Sequence, residues 1–375
     1  MPALPARSCS RKGFARIPIS PLGCLLALLL LFALPAGLAA QPFGQFLGVT
    51  GSTGRVTIPD SPALNPPSTI TIEAWVFLNA YISGDEEDLL GKGWTHSWAL
   101  FVGSTGTLRS YTRGCPSGCT STSFLDAGFV PLHEWTHVAV VDDGAHRLHY
   151  INGELVGTQA QPGGLLPVSP QPVELGSDPD YHGRSLNGFL DEVRLWNTAR
   201  TQAQIRSTLQ GFGSASTAGL VAFWPLNGNE VDIFAGHNGS LTGSPLPAFP
   251  LPPPPLLSCS PGPGILCLGG RFIVKAKFRT GPETNPESNA TPVACSNPDS
   301  GLFWFFGPDN WEVMVKTIDA CALNNRFWLF TAATTNVFYR LEVYDVRSTI
   351  SRIYFNYLGP PAPAVTDTGA FATCP

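Results

Sequence analysis

Residues His133-Glu134-Trp135-Thr136-His137 set two histidines four positions apart with a glutamate directly after the first. On a helix this H-E-x-x-H spacing turns both imidazoles to one side, where they can hold zinc while the glutamate acts as general base in peptide hydrolysis. The flanking residues argue against a helix. Pro131 precedes the motif, and the β-branched run Val138-Ala139-Val140-Val141 follows, ending in the turn residues Asp142-Asp143-Gly144. Alternation through Arg147-Leu148-His149-Tyr150-Ile151 and the turn Asn152-Gly153 complete a two-strand pattern. On an extended chain rising ~3.3 Å per residue, His133 and His137 share a face about 13 Å apart. One zinc needs each nitrogen at ~2 Å, so a straight strand cannot close that gap. A zinc peptidase using His133, Glu134 and His137 stands as an alternative only. Paired carboxylates of a glucan hydrolase are not evident either: Glu86-Glu87-Asp88 reads as a loop, and Asp191 and Glu192 alternate to opposite faces of a strand. No G-x-S-x-G elbow is present.

The elements that position these residues belong to an exported, all-β chain. Arg7, Arg11, Lys12 and Arg16 precede an apolar run from Leu22 to Leu34 and small residues ending at Ala39-Ala40, the pattern of a signal peptide over 1–40. The uninterrupted apolar stretch is too short to span a bilayer, and no later run approaches that length, so no membrane span is expected after cleavage. Removing four basic and no acidic residues takes the net charge from −5 to −9, which disfavours nucleic acid as a partner. Between 244 and 258 seven of fifteen residues are proline, a polyproline linker able to hold two bodies up to ~45 Å apart. It divides a first domain, 44–243, from a second, 259–375. Both show short runs of β-branched and aromatic residues separated by turn signals, as in Thr69 to Phe77 and Phe338 to Tyr344. One helix is expected over Thr201 to Leu209, capped at Asn197 or Thr198. The predicted class is an antiparallel β-sandwich of jelly-roll type followed by a second, smaller β-sandwich.

Four segments, Thr71-Ile72-Glu73-Ala74-Trp75-Val76, Trp135 to Val141, Tyr150-Ile151-Asn152-Gly153 and Leu186 to Asn197, resemble in content and order the laminin G-like, concanavalin A-like jelly roll. The second domain resembles a C-terminal module of exported bacterial proteins whose function the resemblance does not supply. For the first domain, the resemblance implies two antiparallel sheets, a binding rather than a catalytic role, and a structural calcium ion. Its acidic ligands would be Asp178 and Asp180, at the place where pentraxin-like relatives put theirs, with Asp191; two solvated turn aspartates around Pro179 are the alternative.

Sugar recognition on such a fold uses aromatic faces with polar groups beside them. At period two Trp94, His96 and Trp98 share a strand face, and Tyr111 and Tyr181 could join Trp94 and His96 at one edge. Cys115 and Cys119 have the spacing of a small disulfide loop. In the second domain, Cys259 with Cys374 would tie the ends together, although spacing alone leaves the pairing open. The expected protein is secreted or held at the cell envelope and is not an enzyme. It would recognise a glycan or a cell-surface or extracellular partner; the second reading is a structural envelope or matrix component without saccharide affinity.

Overall fold

A computed structural model describes residues 47–49, 54–115, 117–120, 123–209, 215–243, 258–293 and 297–375. The proposed signal segment and nearly all of the proline-rich stretch lie outside them. The described residues form four antiparallel sheets in two sandwiches. In the first sandwich, one sheet runs in the order Leu47–Val49, Gly188–Trp196, Ile70–Leu78, Thr136–Asp142, His146–Ile151 and Glu154–Ala160, with Leu220–Trp224 also paired to Gly188–Trp196. The facing sheet runs Ser240–Thr242, Arg55–Ile58, Val173–Leu175, Glu86–Gly91, Ala99–Gly103, Thr107–Tyr111 and Leu125–Phe129. The second sandwich stacks a sheet ordered Leu266–Leu268, Phe272–Arg279, Phe338–Asp345, Ser351–Asn356 on one ordered Thr291–Pro292, Ser300–Trp304, Val313–Ala320, Arg326–Ala333, Val365–Phe371.

Each strand's alternation sends one set of side chains into the core. Ile70, Ile72, Ala74, Val76 and Leu78 point inward to meet Leu90, Leu100, Val102 and Leu108 of the facing sheet. An antiparallel sheet commonly leaves its other face to water. Here Ile70–Leu78, Thr136–Asp142 and Gly188–Trp196 are buried at every position, so that second face is covered too. Part of the cover is the helix Gln202–Thr208, whose Ile205 packs on Ala139, Val141 and Tyr150. Its cap is Thr201, which exchanges hydrogen bonds with Gln204, rather than Asn197 or Thr198. The rest is the second sandwich. Ile353, Phe355 and Tyr357 pack with Trp75, Trp135 and Leu209, the Trp75 and Phe355 rings lying 6.4 Å apart. The Tyr357 hydroxyl donates to the Asn152 carbonyl at 2.9 Å. A linker able to hold two bodies up to ~45 Å apart also lets them meet, and here they pack face to face, the rings of Trp75, Phe355 and Tyr357 packing together beside ion pairs of Glu134 with Lys277 and Arg340 and of Glu154 with Arg279.

Disulfides join Cys115 to Cys119, Cys259 to Cys267 and Cys321 to Cys374. The expected Cys259–Cys374 pair is therefore corrected. Cys259 lies beside the strand that carries Cys267, its amide donating to the Gly270 carbonyl, while Cys374 follows the strand Val365–Phe371, which pairs with the strand beginning just after Cys321. Cys295 lies outside the described residues.

Candidate functional site

The H-E-x-x-H residues lie in a turn and a strand. His133 has a φ of 60° in the turn before the strand Thr136–Asp142. Glu134 bridges to Lys277 and, at 2.6 Å, to Arg340, both from the second sandwich. Burial alone would raise the Glu134 pKa, but the two cations outweigh it and leave it lowered. His137 is fully buried, its Nε2 3.5 Å from Glu73 Oε2, and burial lowers its pKa. Glu73 also pairs with Arg200 and lies 3.8 Å from Arg194. The motif thus serves the seam between the sandwiches. Among the described residues, no group of three or more His, Cys, Asp or Glu is arranged to hold a metal ion.

With one outer face of the first sandwich sealed, the outer face of the facing sheet remains. Register brings Glu86 opposite Gly103, Asp88 opposite Phe101, Phe101 opposite Arg109, and Ala99 opposite Tyr111. Glu86-Glu87-Asp88, read as a loop, is strand, with a bulge between Asp88 and Leu90 that lets Leu89 and Leu90 both reach the core. Tyr111 is the hub of an aromatic cluster: Trp94 lies 5.6 Å from it, and Phe101 and Phe124 each 5.7 Å. The Cys115–Cys119 loop packs against the same rings, Cys115 being part of the cluster.

Trp94 and His96 do not share a strand face with Trp98. Residues 93–97 form a turn, Gly93 having a φ of 91°, and Trp98 goes into the sandwich core. The turn is held down by the loop that carries Asp178 and Asp180. Asp180 accepts from the Thr95 amide at 2.8 Å and from its hydroxyl at 2.6 Å, and lies 2.8 Å from His96 Nδ1. Asp178 accepts from the Gly93, Trp94 and Asp180 amides at 3.2, 3.4 and 3.0 Å. A side chain at Gly91 would collide with Asp178 Oδ2, its Cβ falling 2.1 Å away, so a glycine there lets the loop close on the sheet. Burial raises the Asp178 pKa to about 7.

These neighbours bear on how the aspartates would fit a calcium ion. Calcium wants oxygen ligands in number, and Asp178 and Asp180 face amide and hydroxyl donors and an imidazole instead. Asp191 lies in the other sheet, opposite Trp75 on the sealed face, and accepts from the Glu192 amide. The three aspartates are not gathered, and the pair that is gathered does not fit a calcium ion.

Tyr181, half-exposed, stands beside this clasp, and its neighbour Arg184 lies 5.1 Å over the Tyr181 ring and 5.4 Å over Phe101. Of the sugar-site candidates, Trp94 and Tyr111 therefore touch, while His96 and Tyr181 flank Asp180 on adjoining loops. The sequence reading missed Phe101, Phe124, Arg109, Arg184 and Asp88. Arg109 lies 4.2 Å over Phe124 and pairs with Glu86 and Asp126. A cleft of about 390 Å3 opens at this end, lined by Asp85, Glu86, Thr105, Arg109 and Asp126 among others. Asp88 is fully buried with Arg184 Nε 3.7 Å away, and burial pushes its pKa up to about 9. Period two from Leu100 and Val102 marks Phe101 as outward, a signal available in the sequence; nothing local marks Arg184.

Residues 50–206 match the model of the concanavalin A-like lectin/glucanases superfamily, which bears out the jelly-roll resemblance over those residues. No curated protein matches the chain. Among solved structures, a Bacteroides ovatus protein described as a candidate carbohydrate binder is 19% identical, with 54% of this chain and 59% of that one covered and a TM-score of 0.44. The carbohydrate-binding module (CBM40) of a Ruminococcus gnavus sialidase is 14% identical over 44% of this chain and 95% of its own, with a TM-score of 0.34. A SAP-like pentraxin of Limulus polyphemus is 18% identical over 46% and 85%, with a TM-score of 0.30. The chain thus spans about three fifths of the length of the Bacteroides protein.

Proposed function

We propose that this is an exported, non-catalytic binding protein whose first sandwich holds a saccharide across its open outer face. One observation carries the reading. The second sandwich and a helix seal one outer face, and the face left open gathers Trp94, Phe124 and Tyr181, backed by the buried Tyr111, with the cations Arg109 and Arg184. Aromatic rings stack on the C–H faces of pyranoses, and charged or amide groups beside them set orientation through hydrogen bonds to hydroxyls. The superfamily match supports the same reading, since lectins are among its members by name. Three disulfides suit an oxidising compartment. No helix among the described residues is long and apolar enough to cross a membrane.

A glycan array with the full chain tests the proposal, followed by titration of the best ligand against Tyr181→Ala and Trp94→Ala. Each variant is expected to bind about tenfold more weakly, on the order of 1.4 kcal/mol, with its melting temperature little changed for Tyr181→Ala. Unchanged affinity in both variants would overturn the assignment of the site.

A further inference from the structure

The second sandwich has its own unexplained face. The sheet facing the first sandwich meets it with Ile353 and Phe355 beside Lys277, Arg279 and Arg340, each of which has a partner there. The other sheet has no such cover among the described residues. Even so, its outward positions carry Trp304, Met314, Trp328 and Phe330 where an antiparallel sheet normally turns polar residues to water. Met314 is 42% exposed, and the Trp328 and Phe330 rings stand 6.3 Å apart. The Trp328 Nε1 donates to Asn324 Oδ1 at 2.9 Å, which anchors one edge of the ring and leaves its face to a partner. Partly exposed rings gathered on one uncovered sheet face, with Met314 exposed among them, point to an interaction surface.

The charges on that face select the partner. On the strands Val313–Ala320 and Arg326–Ala333, the outward charged positions are Lys316, opposite Phe330, and Arg326, opposite Ala320. The nearby carboxylates Asp319 and Asp367 take the opposite register, paired with the core residues Phe327 and Leu329, so that Asp319, although exposed at its strand end, lies on the other side of the sheet from Lys316. The face is therefore aromatic and cationic, on a chain whose net charge is −5. Rings interleaved with cations complement a polymer that presents a sugar-ring face and a carboxylate on each repeat. We propose that this face is a second binding site, taking an acidic polysaccharide, with Trp328 and Phe330 stacking on uronate rings and Lys316 and Arg326 pairing with their carboxylates.

Isothermal titration of the full chain with polygalacturonate, and with its methyl ester, tests this. Polygalacturonate should bind at least tenfold more tightly than the ester, and its affinity should fall as salt rises. Lys316→Glu, a surface change compatible with folding, and Trp328→Ala should each weaken it at least tenfold, whereas Tyr181→Ala in the first sandwich should leave it unchanged. No binding, equal binding of the ester, or loss only in Tyr181→Ala would overturn the proposal. So would either of two other occupants of the face: sedimenting self-association abolished by Met314→Glu, or binding to phosphatidylglycerol vesicles abolished by Trp328→Ala where polygalacturonate fails to bind. Failure of the first-sandwich reading leaves this result untouched, because the two sites are read by different variants.

Discussion

Asp88 and Glu87 lie next to each other on one strand and face opposite sides of the sheet, both buried, Asp88 with carboxylate oxygens that lack a hydrogen-bond partner. Burial raises Asp88 to about 9 and Glu87 to about 8. A carboxyl whose folded pKa lies above its unfolded value near 4 binds its proton more tightly in the native state. Its contribution is therefore fully present at low pH and is lost as pH rises from the unfolded value toward 8 to 9. Glu73 and Glu134 run the other way: their folded values are lowered, so they stabilise above the unfolded value and lose that effect as pH falls through the folded one. Together these opposite slopes predict a stability maximum in the mildly acidic range. Melting curves from pH 4 to 9 should show a decline that sets in above about pH 4 to 5 and that Asp88→Asn, which keeps shape without charge, flattens. The gain at pH 8 should be about 1 kcal/mol or more, a rise in melting temperature of ~2–4 °C. An identical decline in the variant would refute the buried-acid account. The sequence shows the acidic run but not its burial, because the bulge that re-aims it is set by pairing with the neighbouring strand.

At the scale of elements, strands were legible and the loops between them were not. Val138 to Val141 marks the extended segment that removes the protease reading, since β-branched residues fit a pleated, covered surface. Period two failed from Trp94 to Trp98, where Gly93 opens a turn whose shape depends on a loop more than eighty residues away. Likewise the pairing of Cys321 with Cys374 follows from which strands become neighbours, a fact of topology rather than spacing. The Asp178 and Asp180 clasp makes a distinct prediction. Asp180→Ala removes acceptors from the Thr95 amide and hydroxyl and should cost about 1–3 kcal/mol. It should also weaken saccharide binding by freeing the turn that carries Trp94. Calcium should not raise the melting temperature of the unaltered protein through this pair. A calcium-dependent rise abolished by Asp180→Asn would show that the carboxylates hold an ion after all.

In the whole molecule, function follows from which faces are spent. Trp75, Trp135 and Leu209 on one side meet Ile353, Phe355 and Tyr357 on the other, with Glu134 clamped between Lys277 and Arg340. Seeing aromatic residues at outward strand positions, a sequence reader cannot tell which will meet a ligand and which another domain; docking settles that only once both sheets exist. By this logic Trp75 and Trp135 are interface residues, Trp94 and Tyr181 are the rings proposed to meet a ligand, and Tyr111, buried beneath Trp94, supports them. Hydrogen–deuterium exchange on the full chain, with and without a saturating saccharide identified on the array, measures this directly. The account predicts new protection in residues 93–111 and 178–185 and no change in residues 70–78 and 134–142, which the seam already shields. Protection confined to the seam, or none on the open face, would contradict it.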